Sequence, residues 1–164
     1  MPACPFAKKT WADKKVLVEI KQKHKWYKSQ LNKHIENLNF NNHELLIFCD
    51  PYFNYSLQQF QDVIDDYNNW YNKKDIFFMG FHPSNPANEE EQEFLVTPNG
   101  EHPQVESDLK YSMMLAQKFS QLQEASDKLH KAGYYDKWPK GYYQDVVVSR
   151  AKTYKRIFGG QYDG

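Results

Sequence analysis

Leu45-Leu46-Ile47-Phe48-Cys49-Asp50-Pro51 decides how the chain reads. Five consecutive apolar residues are too few for a helix and fit a strand covered on both faces. Asp50-Pro51 ends the run as a turn start. Two similar runs flank it. Upstream, Val16-Leu17-Val18-Glu19-Ile20 is a β-branched strand, and downstream Ile76-Phe77-Phe78-Met79-Gly80-Phe81 is a buried one closed by His82-Pro83. The segments between them have helical spacing. Leu31, Ile35 and Leu38 form a stripe within 25–39. Phe60, Val63, Ile64, Tyr67 and Tyr71 form another, opened by the capping box Ser56 and Gln59.

The order β-α-β-α-β predicts an α/β fold with a small, mostly parallel sheet. Two helical crossovers return the second and third strands in the direction of the first when all three are neighbours. Phe94-Leu95-Val96 reads as a short fourth strand before the turn Pro98-Asn99-Gly100. A long helix is expected from an N-cap at Ser107, with Leu115, Phe119, Leu122, Ser126 and Leu129 on its stripe and Gly133 as its stop. A C-terminal helix carries Val147, Ala151, Tyr154 and Phe158 and ends at Gly159-Gly160. Pro2 and Pro5 make 1–13 an irregular arm, and 159–164 a frayed tail. With no repeat or linker, the 164 residues fit a single domain, 1–164.

The 21 basic and 21 acidic residues cancel, which removes the basic excess of most nucleic-acid-binding proteins, so nucleic acid is not expected as a partner. The charge is uneven, however. Lys8, Lys9, Lys14, Lys15, Lys21, Lys23, Lys25, Lys28 and Lys33 crowd the first fifth, and Glu89, Glu90, Glu91 and Glu93 form an acidic run. Arg150 and Arg156 are the only arginines. No apolar stretch is long enough to span a bilayer, so no membrane partner is expected. Two cysteines without a C-x-x-C spacing point to a reducing, cytoplasmic setting and not to a zinc finger or a disulfide framework. A small-molecule partner is compatible with all of this, and the oligomeric state is open.

Ligands of open α/β sheets bind at the carboxyl ends of the strands. Glu19 and Lys21 end the first strand, Asp50 the second and His82 the third. A carboxylate and an imidazole at neighbouring strand ends can share a proton or a metal. Each also has a plainer reading: Asp50 as a turn acceptor, His82 as a loop donor, Glu19 and Lys21 as surface charges, Cys49 as a small core residue. Cys4, between prolines, is the candidate thiolate. Trp26-Tyr27, Trp70-Tyr71 and Tyr134-Tyr135 can stack bases or sugars, although at helical spacing they read first as core and rim aromatics.

Three motifs occur in a fixed order. They are Cys4-Pro5-Phe6-Ala7, then Ile64-Asp65-Asp66-Tyr67-Asn68, then Phe81-His82-Pro83. This resembles an uncharacterised bacterial family, domain of unknown function 1415, with the chain as a divergent or phage-borne member. The likeness covers roughly residues 4–83. It groups Cys4, Asp66, Tyr67, Asn68 and His82 and brings no known activity. An Arg that the family carries beyond the third motif has no counterpart in Glu101–Glu106.

Two functions follow. One is a small enzyme or metal-binding protein with Cys4, His82 and Asp50 as catalytic or ligating residues, Asp66, Tyr67 and Asn68 as binding residues, and a possible divalent metal of unknown identity. The other is a non-catalytic binding module that uses the aromatic turn 134–143 and the lysine-rich N-terminal third.

Overall fold

Val16–Ile20 (β1) and Leu45–Asp50 (β2) pair in parallel, with Val16 opposite Leu45 and Ile20 opposite Cys49. The structure, a computed structural model, describes residues 5–52, 55–83 and 111–159. Tyr27–Glu36 (α2) connects β1 to β2, and Leu57–Tyr71 (α3) leads from β2 to Ile76–Phe81 (β3). Ser112–Lys118 (β4) completes a four-stranded sheet of order β1-β2-β4-β3. The α/β class is as expected, with helices between the first three strands and further helices after the sheet.

The strand pairing corrects the sequence expectation. β2 and β3 are not neighbours, because the chain leaving β3 returns as β4 and occupies the place between them. One neighbouring pair is parallel and the rest of the sheet is antiparallel. β4 therefore runs against both its neighbours, while β1, β2 and β3 point the same way.

The chain divides into two compact units, Met1–Asp65 with Phe78–Ala116 and Asp66–Phe77 with Gln117–Gly164. In the first, one face of the β1–β2 pair is covered by α2. Phe48 is fully buried, with Tyr27 edge-on at 5.2 Å and His34 at 5.7 Å between ring centres. Tyr27, Leu31 and Ile35, on the buried side of α2, are each no more than 5% exposed. The other face stays open at the edge, where Val18 and Ile20 are exposed and Ile47 and Cys49 half-buried. At β3, Gly80 is required by close approach: a Cβ there would lie 2.1 Å from Ile64 Cδ1 and 2.6 Å from Phe60 Cε1. The predicted capping box forms at the start of α3, Ser56 N–H donating to Gln59 Oε1 and Gln59 N–H to Ser56 Oγ.

Pro5–Ala12 forms a helix (α1), not an irregular arm. Proline is at home in the first turn, where its missing N–H has no intrahelical partner to lose. Thr10, buried on α1, donates to Glu44 Oε2 just before β2, and Lys15 donates to Glu44 Oε1. These two bonds hold the Glu44 carboxyl below the usual range, the Lys15 contact most of all.

In the second unit, Phe119–Lys131 (α4) begins where β4 ends. A helix was expected across this junction because Leu115 stands four residues before Phe119. The burial of Ser112, Met114 and Ala116, alternating with half-buried Met113 and Leu115, has the period of a strand. Asp75, left-handed at φ 62°, closes the short 3₁₀ turn Asn72–Lys74. Its carboxylate accepts from both the N–H and the hydroxyl of Ser120 and so caps α4. Phe119, fully buried, packs on Phe77, Tyr154 and Phe158. Lys140–Tyr143 (α5), a π turn Gln144–Val148 and Ser149–Phe158 (α6) finish the described chain. Gly159 ends α6 in the left-handed region, as expected of a C-terminal glycine. The expected strand 94–96, the turn 98–100, the N-cap Ser107 and the tail 160–164 lie outside the described residues. No described helix is long and apolar enough to cross a membrane.

Candidate functional site

Asp50 and His82 both lie at the carboxyl rim of the sheet, and both are buried, 2% and 3% exposed. They are not at neighbouring strand ends. With β4 between β2 and β3, two strand spacings separate them, on the order of 10 Å. Each is engaged locally. Asp50 Oδ1 accepts the N–H of Tyr52, the turn role that Asp before proline favours. His82 Nε2 lies 3.1 Å from the Tyr55 carbonyl, which can only accept, so that nitrogen carries the proton. Its ring tilts against Phe60.

Cys4 lies outside the described residues. Cys49 is half-buried, and burial raises its thiol above the ordinary value, which suits a packing role. Glu19 faces the His34 ring, Oε1 to Nδ1 3.7 Å. No group of three or more His, Cys, Asp or Glu side chains able to hold a metal occurs among the described residues.

The residues grouped by the D-Y-N motif have divergent surroundings on α3. Asp66 is exposed, Asn68 half-buried, and Tyr67 is core at 6% exposure, stacked on Tyr71. The aromatic turn 134–143 is a packed cluster. Tyr135, 8% exposed, has Tyr134, Trp138, Tyr143 and His130 around it, and Trp138 packs on Tyr142. Its hydroxyl lies 3.1 Å from Ser126 Oγ, which accepts a bond from buried Arg150. These rings spend their faces on one another. An open groove of about 370 Å³ runs beside Gln144, Ser149, Lys152 and Arg156, and every residue lining it belongs to the π turn and α6. One helical wall leaves a bound molecule mostly in water.

The loop from β1 to α2 is different. Lys21, Lys23, Lys25 and Lys28 occur within eight residues, and no acidic residue stands between Ile20 and Ile35. Lys23, His24, Lys25 and Lys28 are exposed, and Trp26, just before α2, is 86% exposed. The loop is held in shape. Gln30, 7% exposed, accepts the N–H of Gln22 through Oε1 at 2.9 Å and donates through Nε2 to the Ile20 carbonyl at 3.4 Å. A turn closes between Lys25 N–H and the Gln22 carbonyl, and Lys21 N–H donates to Cys49 O. The Lys21 ammonium stands over Tyr52, itself 45% exposed. The first turn of α2 has no acid to offset the lysines or the helix dipole. Sequence reasoning assigned Trp26-Tyr27 to core and rim together. Trp26 precedes α2 with an extended backbone, φ −63° and ψ 136°, while Tyr27 opens the helix and is buried, so the two rings part and the indole is left in solvent.

The comparisons with known proteins add no relative: no family model matches the chain, and neither a curated protein nor a solved structure resembles it.

Proposed function

We propose that the protein is a binding module for a polyanionic partner, with the β1–α2 loop as its working surface. One observation carries this reading: Lys21, Lys23 and Lys25, in a stretch of sequence that holds no acid, lead up to an 86%-exposed tryptophan on a loop braced by the buried Gln30. Clustered like charges repel and an exposed indole forgoes burial, so both features oppose folding stability. Their concentration on a braced loop at the carboxyl end of the parallel β1–β2 pair, the edge where open α/β sheets bind ligands, supports a recognition role.

The catalytic or metal-binding reading of Cys4, His82 and Asp50 has less support. Asp50 and His82 are each hydrogen-bonded in their own turns and stand on strands separated by β4. Asp66, Tyr67 and Asn68 include one core ring and bring no second charge cluster. The motif resemblance remains compatible with a binding module, since it implies no activity.

The test is binding of a heparin oligosaccharide, followed by calorimetry at low salt. The native protein is expected to bind, and Lys23→Glu with Lys25→Glu to abolish binding while circular dichroism stays unchanged. Equal binding by the double variant would reject the loop as the working surface.

A further inference from the structure

We infer that the polyanion is single-stranded nucleic acid, with Trp26 as a stacking platform for one base and Lys21, Lys23 and Lys25 as its phosphate contacts. This rests on the binding reading above and names its ligand class. The indole presents a flat aromatic face at 86% exposure, next to lysines on both sides in the chain. Stacking on an aromatic ring is tolerant of base identity, and lysines follow a backbone as point charges. The loop contains no arginine, the side chain suited to bidentate reading of base edges. Gln30 and the Gln22–Lys25 turn hold the platform in place, so little loop freedom is lost on binding.

A single strand is favoured over a duplex because duplex bases are already stacked on each other and offer no free face to an indole. A lipid surface is disfavoured by the fate of α2. Its apolar side, Tyr27, Leu31 and Ile35, is committed to the core, which leaves α2 no apolar face to lie in a bilayer. The zero net charge of the whole chain keeps the contact local, a few nucleotides long.

The experiment uses the full chain with a fluorescein-labelled twelve-nucleotide oligothymidine, a duplex of the same length, and vesicles containing phosphatidylserine. The expected result is tighter binding to oligothymidine than to duplex, with quenching of tryptophan emission. Trp26→Ala is expected to weaken oligothymidine binding about 5- to 150-fold, the worth of one stacked base. Trp26→Phe is expected to restore part of the loss. Equal affinity for both nucleic acids, unchanged by Trp26→Ala, overturns the inference and leaves the polyanion reading standing. Vesicle binding with a blue shift of tryptophan emission that Trp26→Phe removes, and no oligonucleotide binding, overturns it in favour of a membrane. Failure to bind heparin, oligonucleotide or vesicle overturns both.

Discussion

The Lys21 ammonium lies 5.9 Å from the centre of the Tyr52 ring. The segment leaving β1 and the turn leaving β2 therefore meet at one rim. Parallel pairing of β1 and β2 makes this necessary, since Ile20 is opposite Cys49 and both chains exit on the same side. The basic loop and the Asp50 turn are thus two parts of one edge.

Gln30 is the brace of that edge. Gln30→Leu keeps the side chain's bulk but strips the Gln22 N–H and the Ile20 carbonyl of their partner. The expected cost is about 1–3 kcal/mol of stability, with faster hydrogen exchange at the Gln22 amide than in the native protein. Unchanged exchange there would mean that the loop holds its shape without Gln30.

The glycines separate two kinds of position. At Gly80 an added methyl meets Ile64 and Phe60, so Gly80→Ala is expected to destabilise by about 1–3 kcal/mol through overpacking. Gly141, in α5, has nothing within 4 Å of an added Cβ. Gly141→Ala is expected to be neutral or stabilising by up to about 1 kcal/mol, from helix propensity. Urea unfolding of both variants checks the pair; equal effects would place α3 away from Gly80.

Much of this arrangement is legible in local sequence. The β-branched and apolar runs mark β1, β2 and β3, and Ser56 with Gln59 marks the start of α3, because those signals act over a few residues. The place of β4 is not legible. Which strand fills the gap beside β2 depends on contacts distant in sequence, and the Leu115–Phe119 spacing carries a helical signal across a strand–helix junction. Pro5 hides α1 by reading as a breaker when it sits at a first turn. At the rim, Asp50 and His82 were correctly placed at strand ends. Their separation by β4 and their local hydrogen bonds needed the fold. The lysines are visible as composition, but the exposure of Trp26 depends on α2 beginning at Tyr27, which packs in the core and leaves Trp26 outside the helix.

Glu44 couples stability to acid. Its folded pKa is lowered by Lys15 first and Thr10 next, so its contribution is complete above the ordinary value of 4.5 and is lost as the pH falls through the lower folded value. Glu44→Gln is expected to cost about 1 kcal/mol or less near neutral pH, the scale of a partly exposed ion pair. The gap between the two proteins should close as the pH drops below the carboxylate range. Unfolding curves from pH 7 to pH 3 give the answer; a constant gap would mean that the carboxylate's charge plays no part.

The most direct measurement is the salt dependence of oligothymidine binding. Three phosphate contacts to a single strand predict a slope of log K against log salt of about −2, and Lys23→Ala with Lys25→Ala should reduce it to about −0.7, roughly 0.7 per lysine. A slope that the double variant leaves unchanged would contradict the account, because the charge that meets the partner would then lie elsewhere on the protein.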